Sequence, residues 1–406
     1  MTKKFLALAL GAFAMSASAT YMEAPACADE PVNPDSTGFV FTDVHILPNT
    51  PVKDQNKSGT CWAFAGISQL ESDILRRGGE EIDLSEMFIV RNNYKEKARK
   101  YIRMGGKINF AQGGGFADVI NALDDYGIVP EEAYAGLNYG EPKHSHYEMA
   151  AALEAYLDAI LKNPNKKLST AWEAGFDGIL DAYLGKIPET FTYKGKTYTP
   201  KEFAKALGLK GSDFTMLTSY THHPFYQPFA IEIPDNWRWS ESWNVPMDEF
   251  KQVLDAALDA GYTVGWAADV SEPTFKWREG VAVLPEERGE ADMDGTELAR
   301  WVKLSDSDRE KEKNKVTGPR KERTITQEDR QKTFDNMETT DDHGMEIVGT
   351  ATDQNGTRYY KVKNSWDTNQ IYDGYFYVSE PYFLEKTIAI SVHKDALPKE
   401  IAKKLK

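Results

Sequence analysis

The sequence predicts an α+β fold, a helical lobe packed against a β-rich lobe, and three observations predict it. Apolar residues recur at helical spacing through the first half, as at Phe64, Ile67, Leu70 and Ile74. Runs rich in aromatic and β-branched residues gather toward the end, as in Tyr375-Phe376-Tyr377-Val378. Helices come first and strands later, which is the order of segregated layers and not of repeating βαβ units.

The chain opens on Lys3-Lys4, an apolar stretch from Phe5 to Met15, and Ser16-Ala17-Ser18-Ala19. A basic flank, a short apolar core and an Ala-x-Ala end form a secretory signal peptide over residues 1–28, cleaved after Ala19 or Ala28. The apolar stretch falls short of the ~20 residues that span a bilayer. The expected location is therefore exported, periplasmic or secreted, with a lipid anchor at Cys27 as the second option. Residues 29–45 carry Pro and Asp without periodicity and read as a loose arm.

A helical lobe is expected over about residues 45–135. Cys61 follows a Ser-Gly-Thr turn and begins an apolar-periodic helix, with Thr60 or Ser58 as N-cap. Ser85 caps a second helix. Gly113-Gly114-Gly115 forms a permissive loop before a helix that buries Val119, Ile120 and Leu123 and closes at Tyr126-Gly127-Ile128-Val129-Pro130. Residues 136–258 read as a mostly helical insertion, for example Glu148 to Leu161 and Lys201 to Leu207, with loops at His222-His223-Pro224 and Trp237 to Trp243.

The β-rich lobe is expected over about 259–400, with strands at Tyr262 to Val270, Arg358 to Asn364, Tyr375 to Val378 and Ile388 to Val392. Between them, Glu286 to Asp341 alternates charges of both signs and reads as a solvated helical excursion. A chain of 406 residues, 41% hydrophobic, is long enough for a sizeable core. Its net charge of −15 excludes nucleic acid and anionic membrane surfaces as natural partners. Only Cys27 and Cys61 are present, so removal of the leader after Ala28 would leave one thiol and no internal disulfide.

Chemistry concentrates at four residues. The first turn of a helix, with its unpaired N–H groups and positive dipole end, predicts a low-pKa thiolate at Cys61. Gln55, six residues earlier, carries a side-chain N–H that could serve the same spot as an oxyanion donor. His343 enters an apolar β segment within Asp342-His343-Gly344-Met345, and Asn364 ends the next strand within Asn364-Ser365-Trp366. Adjacent antiparallel strands would set imidazole and amide side by side, with Trp366 covering the bond. The pairs His144/His146 and His222/His223 have metal-binding spacing but no neighbouring Cys or carboxylate pattern, and are expected to be surface histidines.

Asp54-Gln55-Asn56-Lys57-Ser58-Gly59-Thr60-Cys61-Trp62, with Asp-His-Gly-Met and Asn-Ser-Trp in that order, resembles the papain-like cysteine peptidases. Ser58 stands where the papain branch has a disulfide cysteine, and this spacing is similar to the bleomycin hydrolase and aminopeptidase C branch. The resemblance implies a papain-like fold with helical insertions and a cysteine peptidase, most simply an aminopeptidase on small peptides. Cys61 would be the nucleophile, His343 the base, Asn364 its orienter, and Gln55 with the Cys61 N–H the oxyanion hole. Gly113, Gly114 and Trp366 would bind substrate; no cofactor or metal is implied. The family's closed homo-oligomers, such as hexamers, would cage the sites. Endopeptidase or dipeptidase action and an inactive peptidase-like binder are the alternatives. Three departures weigh on specificity: Asp367 after Trp366, Ala117 after the glycines, and a basic tail ending at Lys406 in place of a cleft-entering arm. Asp341 or the N-terminal arm could then supply the carboxylate that meets a substrate's α-amine.

Overall fold

The computed structural model describes residues 38–287, 290 and 293–406, and the leader-like segment 1–28 lies outside them. The first element, β1 (Phe41–Ile46), replaces the last part of the expected loose arm. Its aromatic side chain drives the pairing: Phe41 stacks on Tyr377 with ring centroids 4.0 Å apart, and Asp43 pairs with Lys361 at 2.5 Å. Three helices then build the first lobe: α1 (Cys61–Arg76), α2 (Glu86–Arg103) and α3 (Phe116–Tyr126). Ser85 caps α2, accepting from the Phe88 N–H, whereas Thr60 precedes α1 without a side-chain cap because its hydroxyl pairs with Ser58. Buried Trp62, Ala63, Phe64, Ile67, Leu70 and Ile74 turn α1 into the spine of this lobe.

The next stretch is less helical than its composition suggests. Helices α4 (Tyr147–Leu161), α5 (Ala171–Leu184) and α6 (Pro200–Ala206) are present, with a hairpin of β2 (Phe191–Tyr193) and β3 (Lys196–Tyr198) between the last two. Three strands follow that belong to the main sheet: β4 (Phe214–Thr218), β5 (Pro228–Ala230) and β6 (Glu241–Asn244). All five residues of β4 are buried. A strand covered on both faces shows no alternation, so periodicity alone does not separate it from a buried helix.

Helix α7 (Met247–Asp259) and β7 (Val264–Ala268) come next, then the short strands β8 (Phe275–Lys276) and β9 (Val281–Ala282). The charged excursion forms α8 (Gly295–Trp301) and α9 (Asp306–Lys313), neither with a buried residue. Its last helix, α10 (Gln327–Asp335), departs from that reading, because Arg330 is fully buried and donates to the Ser219 and Leu384 carbonyls at 2.7 Å each. The chain closes through β10 (His343–Asp353), β11 (Arg358–Lys363), β12 (Tyr375–Ser379), α11 (Glu380–Lys386), β13 (Thr387–His393) and α12 (Lys399–Ala402). The main sheet runs β5-β6-β4-β13-β7-β10-β11-β12-β9-β8, with β1 also on β10. One core fills the helical lobe and a second lies between the sheet and α7. Helix α1 abuts β10 where the two meet: Gly344 packs so close to the Cys61–Trp62 backbone that a Cβ there would come 3.1 Å from Trp62 Cα.

Candidate active site

Two loops with no sequence relation are laced together in front of α1. The Gln55 N–H donates to the Ser365 carbonyl at 2.9 Å, and Asp54 bridges to Trp366. Ser365 Oγ donates to Gln55 Oε1 at 2.7 Å, while Gln55 Nε2 donates to the Ser58 carbonyl at 2.7 Å. Both ends of the Gln55 amide are thereby held, and one of its two Nε2–H bonds remains for a ligand. Behind them, Lys363 Nζ donates to Ser68 Oγ of α1 at 2.7 Å and to Thr50 Oγ1 at 3.0 Å, and Ser68 donates to Glu346 of β10. This buried network locks α1 to β10, which begins at His343, and to β11, which ends just before Asn364.

His343 is the first residue of β10 and pairs with Ala268 of β7. Its Nε2 lies 2.7 Å from Asn364 Oδ1, an oxygen that also accepts the Ser365 N–H at 2.7 Å. An acceptor on that side puts the ring proton on Nε2 and leaves Nδ1 as the basic atom. Trp366 stacks on the imidazole with centroids 4.3 Å apart, in turn edged by Trp277 and Phe275. It is a cover for the His–Asn bond and does not line the cavity where a substrate would sit.

That cavity, about 80 Å³, is walled by Cys61, Trp62, Gly114, Gly115, Phe116, His343 and Gly344. Asp341 and Asp235 also line it, with the apolar side chains of Ile231, Ile233 and Met216. Gly114 and Gly115 face it, whereas Gly113 does not: its carbonyl accepts from Lys97 Nζ at 2.6 Å, and a Cβ on it would collide with the Asp235 carboxylate. Lys97 also holds the Ala111 carbonyl at 2.8 Å, so a buried lysine fixes the glycine loop from behind. Gln112 fastens that loop to the nucleophile's turn, accepting from the Gly59 N–H at 2.7 Å and from Trp62 Nε1 at 3.1 Å.

The electrostatics depart from the low-pKa thiolate expected at a helix start. Burial pushes the Cys61 thiol up to about 12; the backbone N–H groups of Gly344 and Trp62 pull it down, and Asp341 and Asp235 push it further up. Burial also drives His343 down to about 4 despite its Asn364 partner. Burial, with Asp341 and Asp235, thus favours the uncharged thiol, and burial favours the uncharged imidazole, against the pull of the helix end. Asp341 itself is pushed up to about 7 by burial, with Asp235 and Asp342 adding to the effect.

The other histidine pairs differ from their expected surface positions. His146 is fully buried at the start of α4 and His144 is half-buried against Phe64, because Lys57 draws this segment onto the nucleophile's loop through backbone bonds to His144 and His146. His222 and His223 are partly exposed and do meet a carboxylate, Glu232, which the sequence places out of view of both. Asp235, Lys97, Gln112 and Gly344 were not singled out from sequence. Asp235, Lys97 and Gln112 carry no local motif, Gly344 lies in one only as the neighbour of His343, and each acts through a contact across the fold.

Comparison with known proteins divides along the same lines. The papain family cysteine protease model matches residues 43–172, which include Cys61, and the peptidase C1-like family model matches 322–406, which include His343 and Asn364. The chain is a cysteine-type peptidase, similar to C1 peptidases in both of these regions. Aminopeptidase C of Lactococcus lactis subsp. cremoris is 24% identical over 87% of this chain and 83% of its own length. Cysteine proteinase 1, mitochondrial, of Saccharomyces cerevisiae is 23% identical over 90% and 79% of the two chains. The crystal structure of PepW from Lactobacillus rhamnosis superposes with a TM-score of 0.67 at 20% identity, covering 90% of this chain and 84% of that one, which shows the shared papain-like fold. These relatives correct the expected export. Aminopeptidase C and the mitochondrial proteinase are intracellular enzymes, and a basic-apolar-small leader pattern is too generic to outweigh them. No helix among the described residues is long and apolar enough to cross a membrane.

Proposed function

We propose that this cysteine-type peptidase is an aminopeptidase that removes N-terminal residues from small peptides. The observation that carries the reading is one cavity lined by Cys61, His343 and Asp341 together. The first two supply acyl-transfer chemistry; the third supplies a negative charge where a free α-ammonium can sit.

As Cys61 Sγ attacks the scissile carbonyl, its proton passes to His343 Nδ1, and Asn364 Oδ1 stabilises the imidazolium through Nε2–H. The carbonyl oxygen becomes an oxyanion within reach of Gln55 Nε2–H and the first N–H of α1, which lacks an intrahelical acceptor. The imidazolium returns its proton to the leaving amine as the C–N bond breaks. Water, deprotonated by His343, then hydrolyses the thioester and frees Cys61.

Acidic groups lining the cavity favour cationic ends of peptides, in keeping with the net charge of −15 that disfavours nucleic acid. The test is a matched pair of peptides, one with a free N-terminus and one acetylated. Hydrolysis of the free peptide from its N-terminus, with the acetylated twin at least about tenfold slower, is expected. Equal rates, or internal cleavage of both, would replace the aminopeptidase reading with endopeptidase action.

A further inference from the structure

Beyond the thiol site, three metal-ligand side chains converge at the other end of the segment that forms the cavity's apolar wall. His222 Nε2 and His223 Nε2 each lie 3.1 Å from one oxygen of Glu232, and the donor atoms all fall within 4.8 Å of one another. At metal–nitrogen and metal–oxygen bonds of about 2.0–2.1 Å, a tetrahedral site has donor separations of about 3.3 Å. Each histidine–carboxylate contact already stands close to that spacing, His222 on one Glu232 oxygen and His223 on the other.

The rings are held in place before any ion arrives. His223 stacks on Phe229 with centroids 4.2 Å apart, and His222 lies edge-on to the same Phe229 at 5.4 Å. The Gln331 side-chain amide sits beside His222 Nδ1, its oxygen 3.3 Å and its nitrogen 3.0 Å away. An Nδ1–H given to that oxygen leaves the Nε2 lone pair free, the usual outer-shell support for a metal-bound imidazole. Asn244 Nδ2 donates to the His223 carbonyl at 2.8 Å and fixes the backbone between the strands. All three ligands remain reachable from solvent, with side chains 28%, 36% and 60% exposed.

We propose that His222, His223 and Glu232 bind one divalent ion of the zinc class, with water completing the shell, and that the ion clamps the segment from β5 to Asn236. Two imidazoles and one carboxylate suit zinc, copper(II), nickel(II) or cobalt(II), and are poor ligands for calcium or magnesium. Glu232 sits between Ile231 and Ile233, and these two line the cavity with Asp235 and Asn236. An ion at Glu232 would therefore steady the wall opposite the nucleophile without touching the reacting atoms. The site stands whatever bond the enzyme cleaves.

The experiment uses the full chain carrying Cys61→Ala, so that the thiol cannot ligate. Zinc titration by calorimetry should give one equivalent bound with a micromolar or tighter Kd, and cobalt(II) should give visible bands of a four- or five-coordinate ion. His223→Ala should weaken zinc at least about tenfold, as should Glu232→Gln, which keeps the side chain's size and hydrogen bonding. Hydrogen exchange over residues 229–236 should slow on adding zinc. No binding below about 1 mM, or affinity unchanged in both variants, would overturn the site; binding without slower exchange would overturn the clamp.

Discussion

Ser365 Oγ donates to Gln55 Oε1 at 2.7 Å, joining the residue after Asn364 to the side chain placed before the nucleophile. The proposed oxyanion donor and the proposed imidazole orienter would thus share one buried hydrogen-bond chain. Gln55→Ala is expected to lower kcat about 10²–10³-fold with little change in KM, the usual loss for one oxyanion donor. Ser365→Ala, which frees the amide without removing it, should cost less. Steady-state kinetics on one peptide checks both, and a Gln55→Ala loss confined to KM would assign Gln55 to ground-state binding.

His343 and Asn364 act on one proton, so their losses should not add. Cys61→Ala or His343→Ala should each leave less than about a thousandth of kcat, and the double variant should be no worse than either. Asn364→Ala should be milder, because it removes the orienting acceptor and keeps the base. Single-turnover rates with the folded variants, verified by circular dichroism, make the comparison.

Asp341 predicts a pH signature. Its carboxyl is held up to about 7, chiefly by burial, so it is neutral below that pH and charged above it. A peptide α-ammonium loses its proton near 7.7–8.0. Ammonium and carboxylate coexist best between about pH 7 and 8, so KM for a free-amine peptide should fall as pH rises through 7 and climb again above 8. Asp341→Asn should flatten the acidic limb and raise KM at pH 7.5 about tenfold, while an acetylated peptide is unaffected. A KM profile for the free-amine peptide that is the same in wild type and Asp341→Asn counts against the ammonium site.

Lys97 holds the Ala111 and Gly113 carbonyls from a buried position. Lys97→Met keeps the stem and strands both acceptors, each costing about 1–3 kcal/mol when buried without a partner. The expected result is a lower melting temperature together with a higher KM, since Gly114 and Gly115 on the cavity wall lose their support. Melting curves and Michaelis kinetics measure the two effects, and an unchanged KM would detach the loop's rigidity from substrate binding.

The motifs around Cys61, His343 and Asn364 were legible because each is local: a thiol at a helix start, an imidazole at a strand's first residue, an amide just past the next strand's end. Periodicity likewise located α1, α2, α3, α4 and the closing strands, where one face meets a core and the other does not. What local pattern could not reveal were residues that work across the fold. β4 hid as an apolar run because both its faces are covered, and β1 took its strand character from partners in β10 and β12. Cys61's surroundings were half visible for a similar reason: its helix end lies in the sequence, but the burial and the Asp235 and Asp341 charges that push the thiol up arise only on folding. Glu232 meets His222 and His223 through the turn into β5. Short-range spacing determined which side chains carry chemistry; long-range packing decided their charge states and neighbours, because desolvation and Coulomb forces depend on distance in space and not along the chain.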